Sequence, residues 1–449
     1  MKQKNFDQYK RGLRFFTSMF VIAIMTIVFI LTWKEYYNDD VVFPFYYKGY
    51  LLLGAFYAFF FSGFTYVYGG NKFGYLKNTN VIFSQILAML CSNVCIYLQT
   101  VLLAAHFVSL KPILFVTIVQ SVLIVVLSTI FNKLFEKLFP PRQIIVLYQE
   151  YDPIPLLQKV SSRKDRYHIN KAINVDRKWQ EIVDEIDKYD SVFLCDIHSE
   201  LRNKLLKYCY EKGIRVYMTP KISDILIKSS DTIHLFDTPL LLSRNYGLAF
   251  EDRFMKRAMD IIISFLMIII TSPIMLVTAA AIKLYDGGPV FFRQERCTIN
   301  EKVFSIHKFR SMIVEAEKDG EVIPATDNDE RITPVGRFIR KCRIDELPQL
   351  FDILKGDMSL VGPRPERIEH VKKYKDEIPE FSYRHKVKGG LTGYAQIYGK
   401  YNTKPYDKLK LDLMYIQNYS ILLDLKLLLM TVKIVFMKES TEGFEKKEK

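Results

Sequence analysis

Apolar residues in the first 140 positions fall into long unbroken runs rather than into a short alternation. Phe15–Trp33, Tyr50–Tyr68, Val81–His106 and Pro112–Phe131 each approach the roughly 20 residues that a helix needs to cross a hydrocarbon core of about 30 Å. The pattern predicts four transmembrane helices over residues 1–140. From Gln143 the period changes. Gln143–Tyr148, Ser191–Cys195 and Arg215–Met218 have strand length, and Trp179–Lys188 and Glu200–Lys212 have helical spacing. Strands alternating with helices predict a small parallel α/β module over 141–250. A fifth long run, Ile261–Ile282, opens the last segment, 251–449.

Charge orients the first four runs. Lys2, Lys4, Lys10, Arg11 and Arg14 precede the first, Lys72 and Lys77 lie between the second and third, and Lys133, Lys137 and Arg142 follow the fourth. The other two loops are mixed or nearly bare. The excess of Lys and Arg on alternate loops predicts an amino terminus inside and a chain that returns inside after four crossings. No small-residue cleavage site follows the first run, so a signal peptide is not expected. With 25% of residues charged, the chain is too polar to lie wholly in a bilayer, and with 49% hydrophobic it is not disordered. The net charge of +14 suits nucleic acid, anionic lipid or phosphorylated substrates without choosing among them. Six scattered cysteines include no CxxC, which argues against a zinc site or a disulfide framework. Cys91 and Cys95, at helical i,i+4 spacing, read as packing.

The middle module reads as a degenerate Rossmann-like unit. The turn after its first strand, Gln149-Glu150-Tyr151-Asp152-Pro153, has no glycine and two acids, where a pyrophosphate site needs the reverse. A structural or regulatory role is expected. In the fifth run, Pro273 removes a helical hydrogen bond and predicts a kink, with Ser272 beside it to satisfy freed backbone groups. Cations flank this run on both sides, so charge does not decide whether it crosses.

Candidate chemistry lies beyond it. In Val303–Met312 an extended backbone sets Lys308 and Arg310 on one face, a pair suited to phosphate or to solvent. Asp345 is expected to cap a short helix from Glu346 to Lys355, closed by Gly356. At such a helix start an aspartate is either a cap alone or an ionised nucleophile next to a phosphate. Glu346 beside it suits a hard cation such as Mg²⁺. Arg364, between Pro363 and Pro365, is a stiffly held guanidinium fit for phosphate.

Residues from about 254 to 437 resemble the bacterial polyprenyl-phosphate glycosyl-1-phosphate transferases, the monotopic phosphoglycosyltransferase superfamily. The resemblance rests on Lys256-Arg257-x-x-Asp260, Ser272-Pro273, Gly288 through Arg296, Lys308 through Met312, Asp345-Glu346-Leu347-Pro348-Gln349, and Lys355 through Pro365. It continues through Gly389-Gly390-Leu391-Thr392-Gly393 and Tyr415-x-x-Asn418-x-Ser420. The chain departs from the family after Arg296, where Thr298 and Glu301 stand in place of two glycines.

The resemblance implies a fold class: a membrane protein with a four-helix transmembrane bundle, a Rossmann-like module and an α/β phosphoglycosyltransferase domain carrying a re-entrant helix over 257–283. It implies a transfer of sugar 1-phosphate from a nucleoside-diphosphate sugar to polyprenyl (undecaprenyl) phosphate, the first membrane step of exopolysaccharide, capsule or O-antigen synthesis. Asp345 would form a covalent phosphosugar intermediate, Glu346 would take Mg²⁺, and Arg364, Lys308 and Arg310 would hold phosphates. Lys256, Arg257 and Asp260 would pin the start of a helix bent at Ser272 and Pro273. Catalysis would face the cytoplasm of the bacterial inner membrane, with Leu425–Met437 lying in the interface. The partners implied are nucleotide sugar, polyprenyl phosphate and membrane lipid, not nucleic acid, with room for a homodimer. The sugar stays open among glucose, galactose and acetamido sugars. The rival reading is a catalytically silent membrane scaffold or regulator, against which the intact acidic pair argues.

Overall fold

The computed structural model describes residues 6–149, 153–243, 247–314, 316, 329–400 and 403–435. The chain divides into two compact units, 1–219 and 220–449.

In the first unit, four long helices match the four apolar runs: α1 (Lys10–Tyr36), α2 (Tyr47–Tyr68), α3 (Asn78–Ala104) and α4 (Lys111–Leu138). Each packs on its chain neighbour, and α1 also packs on α4. Their inner faces bury Phe29, Trp33, Tyr57 and Phe61 together with polar side chains. Those polar groups pair with one another. Trp33 Nε1 donates to Thr100 Oγ1 at 3.2 Å, Gln120 Nε2 to Tyr57 Oη at 2.8 Å, and Ser128 Oγ to Gln85 Oε1 at 2.8 Å. The outward faces are apolar, as lipid contact requires.

A four-stranded parallel sheet follows in the order β2-β1-β3-β4, built from β1 (Arg142–Tyr148), α5 (Ile154–Ser161), β2 (Tyr167–Asn174), α6 (Trp179–Ile186), β3 (Ser191–Cys195), α7 (Ser199–Glu211) and β4 (Arg215–Met218). β2 was not expected. Its sequence, YHINKAIN, is polar because it forms an exposed edge, so the apolar signal of a central strand is missing. Glu150, Tyr151 and Asp152 of the turn after β1 lie outside the described residues. At its start, Gln149 Oε1 accepts from the His198 backbone N–H at 3.0 Å, tying the ends of the strands together.

The second unit begins with α8 (Ile222–Lys228) and a hairpin of β5 (Asp231–Leu235) and β6 (Thr238–Leu242). The middle module was expected to run to 250, yet Ile222 and Ile225 of α8 are buried in the core of the second unit. Then comes α9 (Phe250–Asp286), one 37-residue helix that runs through Pro273. An antiparallel pair, β7 (Phe291–Cys297) and β8 (Val303–Phe309), precedes α10 (Pro334–Lys341) and α11 (Gln349–Lys355). β9 (Ser359–Val361), α12 (Ile368–Glu377), β10 (Gly390–Thr392), α13 (Tyr394–Tyr398), α14 (Pro405–Gln417) and α15 (Ile421–Val435) complete it, with β9 parallel to β10. The core gathers Ile353, Met358, Val361, Phe381, Leu409, Leu413 and Leu427. Among the described residues, five helices, α1 to α4 and α9, are long and apolar enough to cross a membrane.

Candidate active site

The motif at the start of α9 fastens that helix to the rest of its unit. Lys256 Nζ meets Asp424 of α15 at 2.6 Å and donates to Tyr415 Oη at 3.0 Å, all three groups buried. Arg257 donates to the carbonyls of Ile353 and Leu354, both at 2.6 Å, and so satisfies the carboxyl end of α11. Asp260 accepts from the Leu360 N–H at 2.9 Å and Ser359 Oγ at 3.1 Å, holding β9. At mid-helix the carbonyl of Ile269 has no N–H to meet at Pro273. Ser272 Oγ donates to it at 2.9 Å instead.

α11 in turn fixes β8. Asp352 accepts from the His307 backbone N–H at 2.9 Å and lies 2.6 Å from His307 Nδ1. That anchors Lys308, the next residue, under the acidic pair. Sequence reasoning missed Asp352, because an aspartate inside a helix carries no local signal of a partner 45 residues upstream.

Asp345 and Glu346 do not stand at an α-helix start. They form a 3₁₀ turn, Ile344–Glu346, and α11 begins three residues later, at Gln349. Arg343 sits in the left-handed region at φ 58°, which turns the chain before the pair. Ile344 and Leu347 then pack against the cluster of Met275, Phe309 and Ile339. Tertiary packing thus overrides the local capping signal. Asp345 caps nothing: its Oδ1 is buried with no hydrogen-bond partner. Gly356 closes α11 as expected, at φ 97°.

Glu346 is the opposite case. One of its oxygens, Oε1, accepts from Arg364 Nη2 at 2.8 Å and from Lys308 Nζ at 3.1 Å, with Arg343 at 3.9 Å. Burial pushes this carboxyl up, but the charges of Arg364, Lys308 and Arg343 outweigh it and hold it well below the usual range. Asp345 moves the other way. Burial and then the neighbouring Glu346 charge raise it, against the pull of Lys308 and Arg343. Two adjacent carboxyls are thereby driven in opposite directions, Glu346 toward its ionised form and Asp345 toward its protonated one.

Arg310 is not part of this group. The strand ends at Phe309, and its guanidinium is engaged bidentately by Asp286 and donates to the Pro289 carbonyl at 2.6 Å. It closes the turn after α9. Arg296, which was not singled out, lies nearer the pair. Burial, with Arg364 beside it, draws its guanidinium down to about 10. Arg364 is itself held by Arg384, whose Nη2 donates to its carbonyl.

The loop that departs from the family has a definite shape. Glu301 takes the left-handed φ of 59° and Asn300 53°, so one of the two missing glycines falls where glycine is favoured. Contacts of Glu301 with Lys375 Nζ at 2.9 and 3.0 Å offset that strain. Thr298 has an extended backbone, and its Oγ1 joins Asp357 to Gly389. Leu425–Met437 becomes part of α15, which starts earlier and buries Asp424, Leu427 and Lys433 in the unit. Phe436 and Met437 lie outside the described residues.

Residues 251–438 match the family described as bacterial sugar transferase. The chain is similar to a UDP-glucose:undecaprenyl-phosphate glucose-1-phosphate transferase of Klebsiella pneumoniae, 40% identical over 256 residues, covering 56% of this chain and 53% of that one. A UDP-N-acetylgalactosamine-undecaprenyl-phosphate N-acetylgalactosaminephosphotransferase of Aeromonas hydrophila is 41% identical over 238 residues, covering 52% of this chain and 55% of its own. An uncharacterized sugar transferase of Bacillus subtilis is 42% identical over 188 residues, which are 42% of this chain and 90% of that protein. The chain spans just over half the length of the first two relatives.

Proposed function

The chain belongs to the bacterial sugar transferase family, and on that premise we propose that it moves a sugar 1-phosphate from a UDP-sugar to undecaprenyl phosphate. One observation carries the reading: Asp345 presents a buried oxygen with no partner beside Glu346, whose Oε1 is held by Lys308 and Arg364. A free carboxylate oxygen among phosphate-binding cations is the arrangement that nucleophilic attack on phosphorus needs.

The Asp345 carboxylate attacks the β-phosphorus of the nucleotide sugar. The bond from that phosphorus to the bridging oxygen breaks, and UMP leaves with the electron pair. A phosphate oxygen of the lipid then attacks the phosphoryl-aspartate phosphorus, the bond to Asp345 breaks, and the carboxylate is restored. Lys308 and Arg364 exchange part of their contact with Glu346 for substrate oxygens. Among the described residues no three His, Cys, Asp or Glu converge. Glu346, whose Oε1 alone meets Lys308 and Arg364, would therefore hold a Mg²⁺ that arrives with phosphate ligands, and not one held by protein alone. Such an ion would neutralise developing phosphate charge.

In this reading α9 enters the membrane and returns. The support is that both its ends grip one unit, Lys256, Arg257 and Asp260 at one end and Asp286 through Arg310 at the other. A straight crossing would put those ends on opposite sides of a core about 30 Å thick. The site then faces the cytoplasm, where nucleotide sugars are made, and the protein lies in the inner membrane. The product begins an exopolysaccharide, capsule or O-antigen chain.

The test is to incubate membranes containing the protein with undecaprenyl phosphate and a panel of UDP-sugars, and to measure UMP and lipid-linked sugar. At least one sugar should give both in equal amounts. Release of neither with any nucleotide sugar would overturn the proposal.

A further inference from the structure

Beside the acidic pair is a narrow cleft whose polar lining is Arg296, Lys308, Gln349 and Arg364, with Ile306 and Pro365 among its other walls. Lys308 and Arg364 already serve Glu346. The other two polar residues have donors without partners. Gln349 is 3% exposed, and its Nε2 makes no hydrogen bond. Arg296 gives Nη1 to the Pro365 carbonyl and Nη2 to Gln294, but its buried Nε is unmatched.

A buried donor without an acceptor is costly, about 1–3 kcal/mol in general. Two of them on residues that line one cleft mark a place for oxygen atoms. The charge around it selects which kind. Three cations line the space; among the described residues Glu346 bonds two of them, Lys308 and Arg364, and Asp345 and Glu366 act on them without a direct bond. Phosphate oxygens answer both the missing acceptors and the excess of positive charge.

We propose that Gln349 and Arg296 are binding residues for the diphosphate of the nucleotide substrate, Gln349 through its amide N–H and Arg296 through Nε. This rests on the transferase reading and adds to it the residues that hold the diphosphate in place around the transferred phosphoryl group. Gln349 begins α11, whose far end Arg257 caps, so the donor is fixed to the same helix that α9 holds. A neutral donor contributes contact without further charge, which allows UMP to leave once the bridge is cut.

The experiment uses the full-length protein in detergent or lipid discs, with UDP as the probe in titration calorimetry and with transfer kinetics alongside. Gln349→Met should weaken UDP binding about tenfold and raise KM for the nucleotide sugar by a similar factor, with kcat falling less. Gln349→Glu keeps the shape and places a carboxylate against phosphate, so it should bind UDP more weakly than the Met variant. It decides the matter if the Met variant fails to fold. UDP affinity and KM equal to the parent's in a folded Gln349→Glu protein would overturn the assignment and leave the cleft to water. If the parent transfers sugar phosphate and these variants match it, the inference fails alone. If the parent binds UDP in a Gln349-dependent way yet transfers nothing, the site stands and the transferase reading fails.

Discussion

Arg384 donates from Nη2 to the backbone carbonyl of Arg364 at 2.9 Å, so a buried arginine fixes the position of a half-buried one. Asp412 lies 2.8 Å from the same nitrogen, and both side chains are 1% exposed. Removing one partner of a buried ion pair costs about 3–5 kcal/mol, because the other charge stays behind unpaired. Asp412→Ala should therefore lower the melting temperature sharply and raise KM for the nucleotide sugar in whatever folds. A melting curve that overlays the parent's would show that the pair does not hold Arg364.

Asp345→Asn should abolish turnover and also any covalent sugar-phosphate adduct trapped with labelled substrate. Glu346→Gln should lose activity while the protein still folds and inserts. Chelation by EDTA should stop the parent enzyme, and Mg²⁺ should restore it. UMP release by Asp345→Asn at the parent rate is the result that removes this residue from the mechanism.

The pH profile has a sign that follows from the two carboxyls. Asp345, raised above its ordinary 3.8 by burial and Glu346, must be ionised to attack, so kcat/KM falls as pH drops through that raised value. Its acid limb should thus lie above pH 3.8. Stability behaves differently. Burial pushes Glu366 up, but Arg384 and Lys408 hold it at about 2 against an ordinary 4.5. Its contribution is fully present above pH 4.5 and is lost as pH falls toward 2. Activity should therefore decline at a higher pH than the melting temperature does, and coincident declines would contradict the assignment of Asp345.

The second unit should fold and catalyse without the first. A fragment from Pro220 keeps Ile222 and Ile225 in the core and Ser229 Oγ at 3.0 Å from Gln417. A fragment from Glu251 lacks them. Burying one such isoleucine stabilises by about 1.5–3 kcal/mol, so the shorter piece should melt earlier while retaining some UMP release. A well-folded, inert 220–449 would mean that the first unit supplies part of the site.

Topology offers a direct check on α9. With the six native cysteines replaced, a single cysteine at the exposed Lys355 should resist an impermeant maleimide in intact cells and react once the membrane is broken. Ready labelling from outside would place the acidic pair across the membrane from its nucleotide sugar.

Much of this was legible in the residues, and the failures have a common cause. The four long apolar runs, the strands at Ser191–Cys195 and Arg215–Met218, and Gly356 as a cap all depend on local composition, and each appears where the pattern set it. The setting of Asp345 does not. Whether that aspartate caps a helix or stands free is decided by Ile344 and Leu347 packing on Phe309 and Ile339, which no local window contains. Arg310 looked equivalent to Lys308 because they are two residues apart in a strand. The strand ends between them, and Asp286, 24 residues upstream, claims the arginine. Gln349 sat inside a recognisable motif, but only its burial and missing partner distinguish it from a helix-starting polar residue.

The bond between Lys256 and Asp424 joins residues 168 positions apart. Chains are synthesised at about 5–20 residues per second, so roughly 8–34 s pass after Lys256 is made before its partner exists. In that interval α9 meets the membrane during synthesis with an unpaired ammonium at its start. Arg257 waits about three-fifths as long for Ile353 and Leu354, as does Asp260 for Leu360. The re-entrant path proposed for this helix would therefore have to be set by its own sequence, with Pro273 at its middle. The contacts that hold it in the finished protein cannot guide its entry.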